Sequence, residues 1–211
     1  MKKKLFAAVC TCFLVVSMVV PVVAIEPTAS DVETITPKGA LIISDPETGE
    51  QWNWDLQAED ISVKRNSRAA DGNSIKEAAV NVDVGEYLRR TMTIPVDGEE
   101  TIRYEVPITV GLRYSVDEKK NAVSIYRAFG SAPETGMYYT INKVFYYSNY
   151  FVFGTMKQYP TTDSWSYTTD STPGTYNGTF CPHALLDCRI TVRGMESSYR
   201  DVSVIFELDF V

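Results

Sequence analysis

Residues 181–188, Cys181-Pro182-His183-Ala184-Leu185-Leu186-Asp187-Cys188, put two thiols, an imidazole and a carboxylate into one short stretch. Such a set can form a disulfide, ligate a metal, or pair a thiolate with a histidine base. Structural zinc favours cysteine pairs separated by about two to four residues, a pattern that this spacing does not match. A nucleophile two residues from its base in one loop seldom reaches in-line geometry. The expected arrangement is therefore a structural disulfide between Cys181 and Cys188, ahead of two buried free thiols and of metal or catalytic roles. In the chain-entropy picture such a small ring adds roughly 2.5 kcal/mol of stability, less any strain.

His183 is the single histidine of the chain. Any hydrolase with a histidine base would have to use it, and no G-x-S-x-G, H-E-x-x-H or Walker sequence accompanies it. Histidine-based catalysis is thus disfavoured. A two-carboxylate glycosidase needs only a pair of carboxyl groups about 5 to 9 Å apart, and 27 acidic residues leave that formally open. Asp97, Glu99 and Glu100 read as a solvated turn around Gly98. Asp71-Gly72-Asn73 looks like the middle of a calcium loop, but with Asp71 at its fifth position the first and last ligands would be Ser67 and Ala78. No metal and no cofactor is expected.

The compositional surplus is aromatic: thirteen tyrosines and three tryptophans. Trp52 and Trp54 share one strand face, as do Trp165 and Tyr167 inside an otherwise polar stretch. Both pairs can be inward packing, or platforms for sugar rings beside Asn, Asp and Ser. Tyr138-Tyr139 and Tyr146-Tyr147 are different, because consecutive strand residues point to opposite faces. One ring of each pair is exposed unless both faces are covered. These eight residues are the candidate ligand-binding set.

The elements that would position them are strands. Ile102, Tyr104, Val106, Ile108, Val110, Leu112, Tyr114 and Val116 alternate with mostly polar residues, and Val202, Val204, Phe206, Leu208 and Phe210 share a face at the end of the chain. Pro107 and Gly111 suggest that the first of these strands is an edge, or bent. Residues 40–44 and 51–56 read as a hairpin, Ile61 to Val63 as a short strand, and Ser74–Ala79 and Pro182–Leu186 as single helical turns. Ten to twelve strands with frequent turns imply an all-β, antiparallel two-sheet β-sandwich, with a β-barrel as the alternative. The expected organisation is a signal peptide over 1–24, a flexible arm over 25–38 and one domain over 39–211, with a subdivision near 66–74.

The leader rests on Lys2-Lys3-Lys4, an apolar run from Leu5 to Val20, Pro21, and small or permitted residues before a cut between Ala24 and Ile25. An uncleaved anchor is the alternative, since the run approaches the ~20 residues that cross a bilayer. Removing three of the twenty basic residues leaves 17 against 27 acidic ones, so the net charge moves from −7 to −10. Nucleic acid is then a poor partner, for want of a basic surface. After cleavage no membrane attachment is expected.

Tyr159-Pro160-Thr161-Thr162-Asp163-Ser164-Trp165-Ser166-Tyr167-Thr168-Thr169 together with the leader resembles small secreted β-rich proteins of Gram-positive gut bacteria. In those a similar phrase precedes a final pair of strands. The resemblance implies an exported, extracellular protein of Gram-positive origin and carries no activity. The functional expectation is a secreted, non-enzymatic binding protein that takes an extracellular glycan or protein on an aromatic surface. A carboxylate-based glycan hydrolase is the first alternative. A structural subunit of a surface assembly, joined by strand addition along Val202 to Phe210, is the second.

Overall fold

A computed structural model describes residues 35–61, 69, 72–92, 105–120, 122–136, 138–148, 155–170, 173–175 and 181–210. The leader, its cleavage point at Ala24–Ile25, most of the arm and the turn carrying Asp97, Glu99 and Glu100 lie outside these residues. So do Ser67, Asp71, Tyr104 and Ile102.

Among the described residues eleven strands and one helix follow in chain order: β1 (Ile35–Ser44), β2 (Gln51–Asp60), β3 (Ile75–Asp83), α1 (Val84–Thr91), β4 (Pro107–Asp117), β5 (Ala122–Ser131), β6 (Tyr138–Ser148), β7 (Met156–Gln158), β8 (Ser164–Thr168), β9 (Gly174–Thr175), β10 (His183–Val192) and β11 (Met195–Phe210). The all-β antiparallel expectation is met, but the two separate sheets of a sandwich are not. One continuous sheet runs β7-β6-β10-β11-β1-β2-β3-β4-β5-β8, with β9 also paired to β5. Continuity depends on β2, which pairs with β1 through Gln51–Gln57 and with β3 through Ala58–Asp60.

Two short connections force this sheet to curl. Residues 132–137 join β5 to β6, although seven inter-strand steps separate those strands along the sheet. A flat sheet would put them roughly 34 Å apart, whereas the connection reaches at most roughly 25 Å. Residues 159–163 likewise join the edge strands β7 and β8. The two ends of the sheet therefore meet. Among the described residues no ladder pairs β7 or β6 with β8, so the curl is barrel-like without closing as a barrel.

Both halves of the curl feed one core. Alternate residues of β10 and β11 (Ala184, Leu186, Ile190; Val202, Val204, Phe206, Leu208) and of β3 and β4 (Val80, Val82; Ile108, Val110, Leu112) are buried in it. Leu41 and Ile43 of β1 belong to the same cluster.

Several local expectations change. Ile35–Lys38, assigned to the arm, are the first residues of β1 and pair with Glu207–Phe210. Pro107 opens β4, where its missing N–H breaks no ladder, and β4 lies between β3 and β5 rather than at an edge. Register is regular past Gly111, and the one slip between β4 and β5, between Arg113 and Tyr114, leaves Tyr126 of β5 rather than a residue of β4 as the extra one. Ile61 follows β2 as irregular chain, and Ser62 and Val63 lie outside the described residues. Ser74–Ala79 and Pro182–Leu186 are extended rather than helical, mostly within β3 and β10.

The one helix among the described residues sits elsewhere. Asp83 caps α1 by accepting from the Gly85 amide at 3.0 Å, and the same oxygen accepts from the Val106 amide at 2.7 Å. Finally, β11 is paired on both sides, by β10 and β1. Val202 to Phe210 thus offers no free edge for strand addition.

The Cys181–Cys188 bridge is not formed; both cysteines are free. The reason is geometric. His183 to Cys188 is extended strand, so those five residue steps alone span roughly 17 Å, and two further residues cannot bring Cys181 back within disulfide reach. Cys188 faces the core, and burial, then the charge of Asp187, pushes its thiol up to about 12. Unreduced and reduced protein should therefore have equal mass. A thiol reagent near neutral pH should leave Cys188 unlabelled until the protein is unfolded; fast native labelling of Cys188 contradicts this burial.

An ionic clasp ties the β1–β2 turn to α1. Arg200 reaches Asp45 at 3.1 Å and donates to the Thr91 carbonyl from Nη2 at 2.7 Å. Asp45 also accepts from the amides of Glu47 and Thr48. The Glu47 amide first, then that of Thr48 and the charge of Arg200, hold the Asp45 carboxyl below its ordinary 3.8 against the opposing effect of burial. A depressed folded-state pKa means support that is full above the unfolded value and is lost as pH falls through the folded one. In urea denaturation, Asp45→Asn should unfold earlier than wild type at pH 7, and the gap should close as pH drops below about 4. A gap that persists unchanged in acid contradicts the assignment.

Candidate functional site

The curl sorts the eight candidate aromatics by face. Tyr138, Tyr147 and Trp165 are buried, and Trp52, Trp54 and Tyr167 pack half-buried against the core. Trp54 rests on Tyr87 of α1, with ring centroids 4.9 Å apart. Only Tyr139 and Tyr146 of the eight point outward, each next to an inward partner, as the consecutive pairs require.

Four aromatics close the seam where the ends of the sheet meet. Phe145 of β6 contacts Trp165 of β8 edge-on at 5.5 Å, and Tyr147 stacks on Tyr167 at 6.1 Å with planes 11° apart. Phe145 and Tyr167 lie 6.0 Å apart. The Lys143 ammonium sits 5.9 Å from the Trp165 ring and donates to the Thr162 carbonyl at 2.9 Å. Gly130 makes room for Trp165: a Cβ there would lie 2.7 Å from the indole. In place of a ladder, rings hold these edges together.

The outer face of β6, β10, β11 and β1 is the unusual surface. A sheet with one face in water normally alternates apolar-in and polar-out. Here one outward row runs Lys157, Tyr146, Leu185, Ile205, Ala40. The next runs Val144, Asp187, Ser203, Ile42. Leu185, Ile205, Ile42, Val144 and Tyr146 are all partly exposed. At one rim the Lys157 ammonium lies 5.6 Å from the Tyr146 ring and 5.3 Å from that of Tyr159, whose exposure is 65%. Tyr159, then Tyr146, raise the Lys157 pKa.

The second half of the sheet obeys the usual rule on two of its outward rows. Its outward rows Asn81–Thr109–Ser131–Ser164 and Glu77–Arg113–Arg127–Thr168 are polar throughout. The apolar outer face is thus a property of one half, not of the fold.

Sequence reasoning centred on aromatics missed Ile42, Val144, Leu185 and Ile205. A signal was present: Ala40-Leu41-Ile42-Ile43, Val144-Phe145-Tyr146-Tyr147, Ala184-Leu185-Leu186 and Val204-Ile205-Phe206 are unbroken apolar runs. Such runs mark strands covered on both faces.

His183 makes one described hydrogen-bond contact, between Nδ1 and the Cys181 carbonyl at 3.2 Å. Asp187 accepts from the Ser203 hydroxyl at 2.5 Å, and Arg189 holds Asp201 through two hydrogen bonds of 2.8 and 3.2 Å. Cys181 contacts Asp209 at 3.8 Å, and its thiol is raised by burial first. Among the described residues no group of three or more His, Cys, Asp or Glu side chains is placed to hold a metal ion.

No family model, no curated protein and no solved structure matches this chain. Seam and outer face differ in what they contribute to stability. Trp165→Ala should cost about 3 to 5 kcal/mol in chemical denaturation, as a buried aromatic does. Tyr146→Ala should cost no more than about 1 kcal/mol. Equal losses would contradict the division between inward and outward rings.

Proposed function

We propose that this is an exported, non-enzymatic binding protein that takes an extracellular protein on the outer face of β6, β10, β11 and β1. The observation that carries the reading is the outward apolar row Tyr146–Leu185–Ile205–Ala40, flanked by Val144 and Ile42. Four strands put that row across roughly 14 Å, a span suited to the centre of a protein interface. A soluble surface gains nothing from such residues unless something covers them.

The rim states what kind of partner fits. Lys38 and Arg189 are committed to Asp209 and Asp201. Asp55, Asp187 and Glu207 lie within or beside the apolar rows on the same face, against the cation Lys157 at the β7 rim. With a net charge of −10 after loss of the three leader lysines from the full chain's −7, the protein suits a partner with an apolar centre and a basic rim. Such a rim acts mainly on association rate and on salt dependence. Export is carried by the leader, with cleavage between Ala24 and Ile25.

The test places a photo-crosslinking residue at Leu185 or Ile205 and exposes the protein to intact cells and culture fluid. A discrete, salt-sensitive adduct should form, and Leu185→Glu with Ile205→Glu should abolish it while leaving the β-type circular dichroism spectrum intact. Absence of any adduct, or an adduct indifferent to the double substitution, overturns the reading.

A further inference from the structure

On the second half of the sheet, one outward row departs from its polar neighbours: Ala79, Gly111, Phe129, Ser166. Gly111 decides how Phe129 lies. A Cβ at Gly111 would come within 2.6 Å of the tip of the Phe129 ring. The ring is therefore laid across β4 into the space that the glycine leaves, rather than standing out from the sheet. It forms the floor of an open depression of about 440 Å³, lined also by Thr109, Ser131, Ser164 and Ser166, with Arg127 at one side.

The chemistry of the walls is neutral. Among the described residues the hydroxyls of Ser131, Ser164 and Ser166 have no hydrogen-bond partner within the protein. Thr109 donates to Asn81 at 2.8 Å, which leaves its oxygen free to accept. The one cation of the lining, Arg127, lies over the Phe129 ring at 5.1 Å from its centroid; its Nη2 is held by Glu77 at 2.7 Å, and its Nε is buried without a hydrogen-bond partner. Its charge is already answered. An aromatic ring with hydroxyls around it and a guanidinium balanced by Glu77 favours a neutral occupant over a phosphate or a uronate.

We propose that this depression is a carbohydrate subsite for a neutral pyranose with equatorial hydroxyls. The sugar's axial C–H face packs on Phe129, and its edge hydroxyls exchange hydrogen bonds with Ser131, Ser164 and Ser166. The three serines sit on two adjacent strands, β5 and β8, so the contact spans about one sugar ring. A single-ring contact binds weakly, with Kd of about 1 mM for an oligosaccharide that engages it. The site lies on different strands from the apolar outer face and does not depend on it.

Cellotetraose is the probe, titrated into isotope-labelled mature protein and followed by amide chemical shifts. Saturable shifts should appear at Phe129, Ser131, Ser164 and Ser166. Phe129→Leu, which keeps apolar bulk but removes the ring, should weaken binding by about tenfold. Ser131→Ala with Ser166→Ala should weaken it further, and Leu185→Glu with Ile205→Glu should leave it unchanged. Absence of saturable shifts at these amides overturns the proposal. So does binding indifferent to Phe129→Leu, or tighter binding of trigalacturonate or adenosine monophosphate in parallel titrations.

Discussion

Two connections too short for a flat sheet dictate this molecule. Residues 132–137 and 159–163 each link strands from opposite ends of the hydrogen-bonded order. The chain can satisfy both only by curling the sheet until its ends meet. Everything else answers to that constraint. β2 must hand over from β1 to β3 partway along its length. The inner positions of both halves must fit into one core, and the seam must be filled by side chains. Phe145, Tyr147, Trp165 and Tyr167 do that filling. Their stacking and edge-on contacts replace the ladder that a closed barrel would have.

The curl also explains why a surplus of aromatics is not a surplus of exposed aromatics. Trp165 and Tyr167 stand in an almost wholly polar stretch, and from the sequence that polarity looks like a solvent-facing surface. In the fold it is the outer half of an edge strand whose inner half is the seam. Tyr138 and Tyr147 are buried for the same reason, while their neighbours Tyr139 and Tyr146 face out. The surfaces left outside differ by half. One carries aliphatic residues where polar ones are usual, and the other carries serines and threonines around a single recumbent ring.

Much of the strand content was legible, because period-two alternation reports a local geometry. Ile108 to Tyr114 and Val202 to Leu208 fall on their strands in the expected phase. What was illegible is set by distant partners. Ten to twelve antiparallel strands are compatible with two sheets or one, and no residue of β2 announces that its last three will pair with a different strand. Asp83, Glu86 and the Arg89-Arg90 pair are ordinary start and stop signals for α1, but Val80, Val82 and Val84 alternate with polar residues as a strand would across its start. Cys181 and Cys188 looked like a small ring only on the assumption of a loop. Ala184, Leu186 and Ile190, alternating inward with Cys188, are the residues that make it a strand.

An aromatic seam brings the two ends of one sheet together. Side-chain nuclear Overhauser effects between β6 and β8 test it most directly. Cross-peaks should link the rings of Phe145 and Trp165 and those of Tyr147 and Tyr167 in the native protein, all lost together on unfolding. Native spectra with intact β10–β11 and β4–β5 ladders but no ring contact between β6 and β8 would contradict it.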